Sequence, residues 1–210
     1  MKPRILITTG DQDGIGPEIT GRALHQLGNT TEATLFVLTQ SQGPPLDLPE
    51  WFEKRNSDSE LPSVLENPTS HMHFVSKNSP VEWVELATHL GVERAIEGLV
   101  TAPLSKTLIR DVGLKDKGHT DIIKRITGLK DLFMCFLGDR FHVSLVTDHI
   151  PIKDVPRELS AEKITRCLEL TLELLESLGE KSQPVGVLGL NPHSGEDGLI
   201  GSEEKDVIQV

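Results

Sequence analysis

Short apolar runs of strand type alternate along this chain with amphipathic helical stretches, and that alternation restricts its fold more than any other feature. Strand signals cover 4–9 (RILITT), 34–39 (TLFVLT) and 99–102, and helical signals cover 17–27, 81–97 and 105–111. Strands interleaved with helices predict parallel βαβ units. Local punctuation agrees: Pro17 sits in a first helical turn, Gly28 follows Leu27, and Ser160 and Gly179 bracket the stripe Ile164, Leu168, Leu172, Leu175. Between 41 and 70 the character changes, with Pro44, Pro45, Pro49, Pro62 and Pro68 among Ser, Asp, Asn and Glu; this predicts a surface insertion loop. Runs at 132–137 and 141–147 flank Gly138-Asp139-Arg140 at hairpin spacing, so the sheet is expected to be mixed.

A chain of 210 residues can bury one good core or two small ones. Its net charge of −11 argues against nucleic acid, which needs clustered Lys and Arg, but leaves room for a small anionic substrate held by a few local donors. Cys135 and Cys167 lie in apolar settings and read as buried, unpaired thiols of a reducing compartment. No apolar run approaches the about 20 residues of a membrane span, and the amino terminus enters a strand without a signal-peptide core. A cytoplasmic location, away from membranes, is the expectation.

The residues with chemistry cluster at predicted strand ends. In GLNPHSGEDG, a glycine-rich loop carrying His193 follows an apolar run at 184–190 that reads as a strand, and Gly201-Ser202-Glu203-Glu204 behind it reads as a helix start. The run at 141–147 leads into Asp148-His149-Ile150-Pro151, where Pro151 halts the strand and leaves His149 at its mouth. Two imidazoles at two strand ends can converge on one divalent ion, although a catalytic metal usually has three protein ligands; equally, both can be surface histidines of tight turns. Near the amino terminus, TTGDQDGIGPE joins a strand to a helix through Gly10, Gly14 and Gly16, a geometry that suits an anion but not the G-x-G-x-x-G spacing. In KGHTD, Thr120 reads as an N-cap, and His119 with the adjacent amides can bind a carboxylate or phosphate or be a plain surface histidine. Lys106, after the strand at 99–102, can neutralise phosphate or donate a proton, or be a solvated helix residue. His25, His71, His73, His89 and His142 have no comparable setting.

GDQDGIGPE, VTAPLSK, GHTD, VTDHIP and GLNPHSGEDGLIGSEE, in this order over nearly the whole chain, resemble the 4-hydroxythreonine-4-phosphate dehydrogenases of vitamin B6 biosynthesis. The GIGPE turn is also similar to that of isocitrate and isopropylmalate dehydrogenases. The resemblance implies an α/β fold of that dehydrogenase type: two α/β subdomains, a mixed but mostly parallel sheet and a cleft between them. The first is expected over 1–117, with the loop at 41–70, and the second, metal-binding one over 118–210. By the same resemblance His149 and His193 are two of three histidines holding a divalent metal (zinc, magnesium or cobalt), His119 and Thr120 contact substrate, and Lys106 matches a family lysine of catalytic character. The implied reaction is NAD- or NADP-dependent oxidation of 4-phosphooxy-L-threonine, a small phosphorylated hydroxy acid, then decarboxylation to 3-amino-2-oxopropyl phosphate, in a homodimer.

Three departures stand out. Gln12-Asp13 replaces the family's Pro-Ala or Pro-Asn, Asp148 replaces a Thr or Ser and adds a carboxylate beside His149, and the chain ends at Val210 where family members continue. The third metal histidine, the phosphate grip and most of the cofactor site are therefore expected outside this sequence. The alternatives are a sister dehydrogenase of 4-phosphoerythronate or 4-phosphothreonate, an isopropylmalate-type enzyme with an aspartate metal site, and a non-catalytic short paralogue.

Overall fold

The computed structural model describes residues 2–30, 32–42 and 45–209. The chain forms two compact units, Met1–Leu129 and Lys130–Val210. The division falls after Leu129 and not after Lys117.

The first unit is built on five parallel strands: β1 (Arg4–Thr8), β2 (Thr34–Gln40), β3 (Phe52–Arg55), β4 (His71–Ser76) and β5 (Gly98–Thr101). Their order is β3-β4-β2-β1-β5, with every neighbouring pair parallel. Strand residues alternate between faces, and both faces are apolar. Leu6, Phe36, Leu38 and Phe74 pack with Trp83, Ala87 and Leu90 of α3 (Pro80–Val92), while Ile7, Leu35 and Val37 pack with Leu24 of α1 (Gly16–Leu27). Each such fully buried large side chain contributes about 1.5–3 kcal/mol, so this two-sided core is the main reason the unit holds together.

Helix ends follow local chemistry. Ser79 and Glu82 form a capping box at α3, with Glu82 N–H donating to Ser79 Oγ at 3.3 Å and Ser79 N–H to Glu82 Oε2 at 2.7 Å. The helix stops at Val92, short of the expected 97. Arg94 takes a left-handed φ of 58°, and the Ala95 amide turns back to the Leu90 carbonyl at 2.8 Å, closing a Schellman motif without glycine.

The loop expected at 41–70 is more ordered than its prolines suggest. It holds the edge strand β3 and the short helix α2 (Leu61–Glu66), whose Pro62 occupies the first turn, where a missing N–H costs nothing. Of that loop's prolines, Pro44 lies outside the described residues. β4 (HMHFVS) was not foreseen; its His73 is a satisfied core residue, Nε2 lying 2.7 Å from Thr39 Oγ1.

Two short helices complete the first unit: α4 (Lys106–Asp111) and α5 (His119–Thr127). Ile122 of α5 is fully buried with Val81, Val84 and Ile109, and Arg125 binds Glu85 at 2.6 Å and Asp116 at 3.0 Å. These contacts place α5 in the first unit.

The second unit has the expected hairpin, β6 (Met134–Phe136) and β7 (Val143–Leu145), but it is a separate antiparallel pair. The five-stranded sheet is therefore purely parallel and not mixed. A short helix α6 (Val155–Glu158) precedes α7 (Ala161–Ser177), which is capped by Ser160 Oγ and closed by Gly179 at φ 78°. Ile164, Cys167 and Leu175 are its buried residues, whereas Leu172 is half exposed. Both cysteines are free; Cys167 is buried, but Cys135 is only half-buried. The run at 184–190 forms no strand: Leu188 is 87% exposed, and without a neighbouring ladder apolar composition alone does not make a strand.

Candidate functional site

In the first unit the chemistry collects where β1 and β5 end side by side. β1 continues toward β2 on one side and meets β5 on the other, so this edge is the reversal point at which open parallel sheets bind ligands. The two strand exits are tied together, Ala102 N–H donating to the Thr8 carbonyl at 2.9 Å and Asp11 N–H to the Pro103 carbonyl at 3.1 Å. Gly10, at φ 68°, is required there, because a Cβ would lie 2.3 Å from the Pro103 oxygen.

His119 opens α5 beside this edge. Its ring is half-buried, and desolvation lowers its pKa below 6.5, partly offset by a hydrogen bond to the Ala102 backbone. Its Nε2 is buried with no protein partner. The bond to Ala102 thus uses the other ring nitrogen, so the neutral ring leaves Nε2 as a hydrogen-bond acceptor. That geometry suits a hydroxyl or ammonium donor better than the carboxylate or phosphate expected for this imidazole.

Thr120 is not the cap of α5. Gly118 holds that position, the Asp121 carboxylate accepts the Lys117 N–H at 2.9 Å, and Thr120 lies exposed in the first turn. Lys106 is the first residue of α4, exposed to solvent, behind the capping Ser105. A cavity of about 410 Å³ lies in the same unit and is lined by Thr9, Gln12, Thr39, Lys54 and His73; neither Lys106 nor His119 lines it.

The two histidines of the second unit share an unusual backbone. His149 has φ 49° and His193 has φ 51°, both left-handed, and both rings are exposed. β7 ends at Leu145, so His149 stands in the turn beyond the strand and not at its mouth. His193 opens a left-handed run through Asp197, with φ values of 51°, 53°, 81°, 44° and 60°. A non-glycine residue in this region costs about 1–2 kcal/mol, so the run persists only because its surroundings impose it.

Those surroundings are visible. Glu204 opens a short π-helical turn, Glu204–Ile208, at the expected helix start, and is 3% exposed. Asn191 N–H donates to Glu204 Oε1 at 2.7 Å, and Asn191 Nδ2 donates to Glu204 Oε2 at 3.0 Å and to Glu203 Oε2 at 2.7 Å. These bonds hold the Glu204 carboxyl below the usual carboxylate range. On the far side of the loop Lys205 Nζ donates to the Asp197 carbonyl at 2.8 Å. The Gly-Ser-Glu-Glu spelling announces a helix start but gives no sign that its last carboxylate turns back onto Asn191.

His149 and His193 have the donor chemistry of a borderline divalent metal, and both present their rings to solvent. Among the described residues no group of three His, Cys, Asp or Glu side chains comes together to hold an ion. Asp148 therefore does not complete a three-ligand set with them here. The two histidines have the donor chemistry of metal ligands, and among the described residues no third ligand joins them.

Comparison with known proteins places these features in a family. The family model described as pyridoxal phosphate biosynthetic protein PdxA matches residues 36–210. A 4-hydroxythreonine-4-phosphate dehydrogenase of Desulforapulum autotrophicum is 36% identical over 99% of this chain and 67% of its own length. A D-threonate 4-phosphate dehydrogenase of Bordetella bronchiseptica is 27% identical over 98% of this chain and 64% of its own. In fold, the crystal structure of a 4-hydroxythreonine-4-phosphate dehydrogenase from Burkholderia phymatum superimposes with a TM-score of 0.76 at 23% identity, covering 99% of this chain and 69% of that one. The chain thus spans about two thirds of the relatives it matches and shares their α/β architecture. It belongs to the PdxA family of pyridoxal phosphate biosynthetic proteins, whose curated relatives are dehydrogenases.

Proposed function

We propose that this chain serves the oxidation and decarboxylation of 4-phosphooxy-L-threonine to 3-amino-2-oxopropyl phosphate, with NAD or NADP as hydride acceptor. The observation that carries this reading is the family match over residues 36–210, joined to two exposed left-handed histidines and an unpartnered His119 Nε2. His149 and His193 would supply two ligands of a divalent metal. When bound, such a metal would supply Lewis acidity toward the substrate hydroxyl, and a nicotinamide would supply the hydride acceptor.

The chain's own groups have narrower tasks. His119, neutral near pH 7, accepts a hydrogen bond from a substrate hydroxyl or ammonium and orients it against the strand edge. Exposed Lys106 and the amino-terminal amides of α5 supply the positive potential a phosphorylated acid needs in a chain of net charge −11. We place the family's homodimeric assembly and a cytoplasmic location with this proposal.

A second reading is favoured by the Bordetella relative: D-threonate 4-phosphate as substrate. An acceptor at His119 suits either acid. The deciding measurement is NADH and NADPH formation from each, with zinc, magnesium or cobalt, by this chain and by any in-frame extension past Val210. Turnover of 4-phosphooxy-L-threonine supports the first reading, and turnover of D-threonate 4-phosphate alone replaces it. No turnover of either by the extended protein overturns both.

A further inference from the structure

We infer that Glu204 is a positioning residue for His193, holding its loop in the one backbone form that presents the imidazole outward to a divalent cation. The inference rests on the metal reading above. Three observations converge. Glu204 is a carboxylate almost completely removed from solvent, on the turn behind the loop. Both of its oxygens are engaged by Asn191, two residues before His193, and the Ser194 amide closes back on the Asn191 carbonyl at 3.2 Å, which encloses His193 within the clamped turn. The loop also packs directly on the carboxylate, since a Cβ on Gly195 would lie 2.9 Å from Glu204 Oε2.

The exit of the loop is held from the same turn, through Lys205 on the Asp197 carbonyl. Adjacent residues thus grip both ends of a segment that carries four non-glycine residues at positive φ. A neutral amide cannot replace the carboxylate. It would set an NH2 group against either the Asn191 amide or the Asn191 NH2, both of which are donors. Residues that orient a ligating histidine without touching the metal are worth about ten- to a hundredfold in affinity.

The test uses the 210-residue chain with zinc as the probe. Zinc affinity is measured by competition with a chromophoric chelator, and intraresidue amide–Hα NOEs, strong only at positive φ, are read at Ser194, Glu196 and Asp197. Glu204→Gln is expected to weaken zinc binding about ten- to a hundredfold and to lose those NOEs, with amide shifts elsewhere unchanged. Glu203→Gln, which leaves both Glu204 oxygens engaged, should stay close to the parent in both readouts. Asn191→Ala keeps the backbone bond to Glu204 and should show a smaller loss in the same direction, which keeps the inference testable should Glu204→Gln not fold. Parental zinc affinity in folded Glu204→Gln, with or without the NOEs, overturns the inference, as does parental behaviour of Asn191→Ala. His193→Ala separates the two layers. If it leaves zinc affinity unchanged, the metal reading fails; if it weakens binding while Glu204→Gln does not, only the positioning role fails.

Discussion

Gly195 offers the sharpest physical test of how the histidine loop is built. It sits at φ 81°, and a Cβ there would lie 2.6 Å from the Gly201 carbonyl oxygen and 2.9 Å from Glu204 Oε2. Gly198, three residues on, is also left-handed at φ 94° but has nothing within 4 Å of the same position. The pair separates two costs. Gly198→Ala meets only the conformational one, about 1–2 kcal/mol. Gly195→Ala meets that cost together with a backbone contact closer than carbon and oxygen tolerate, and forcing such a contact adds about 1–3 kcal/mol. Hydrogen exchange of the 191–208 segment, read by mass spectrometry, is the suitable assay. With tenfold for each about 1.4 kcal/mol, exchange in Gly195→Ala should exceed that in Gly198→Ala by about 5- to 150-fold. Equal protection in the two variants would refute the close packing of the loop on Glu204 and Gly201.

Further outcomes follow from other sites. His73 is buried beside Thr39 with its pKa lowered to about 4, chiefly by desolvation and then by Lys54. Since the unfolded chain protonates first, native stability should fall as pH drops from 6.5 toward 4, by up to about 3 kcal/mol; His73→Phe should flatten urea-midpoint profiles in that window. Glu97 is held at about 2 by hydrogen bonds from Arg4, so its contribution is present above 4.5 and lost as pH falls toward 2. Its carboxylate is 45% exposed, so screening limits the effect to about 1 kcal/mol. Arg4→Met should cost about 1–2 kcal/mol, because the guanidinium also donates to the Leu65 and Arg94 carbonyls at 3.2 and 2.9 Å; chemical denaturation measures it. His119 should titrate below 6.5 by NMR, and His119→Leu should weaken binding of the phosphorylated substrate and lower the unfolding midpoint only modestly, since the bond to the Ala102 backbone is lost while Nε2 has no protein partner to lose. A midpoint above 6.5 would contradict the buried, neutral ring.

α1, α4 and α7 were legible because Pro17, Ser105, Ser160 and Gly179 act on backbone groups within a turn of themselves. β3 and α2 lie hidden among prolines, and β4, just beyond them, forms because Phe36 through Gln40 of β2 lie alongside it. The run at 184–190 has the composition of a strand but, among the described residues, no neighbouring strand pairs with it. Thr120 lost its capping role to Gly118 and Asp121 for a similar reason: several residues nearby were chemically able, and the path of the chain into α5 chose among them.

Residue type and short-range order account for the parallel α/β framework, the helix ends, the family motifs and the identity of the histidines. Tertiary structure decided the strand order β3-β4-β2-β1-β5, the assignment of α5 to the first unit, and the neutral, open Nε2 of His119. It also decided that His193 stands on a left-handed turn clamped at Asn191 by the Glu204 carboxylate, 13 residues on from Asn191. Those features depend on burial and on hydrogen bonds between distant segments. Local preference alone would oppose the turn, because four of its five successive residues are non-glycine and run against the ordinary conformation of an L-residue.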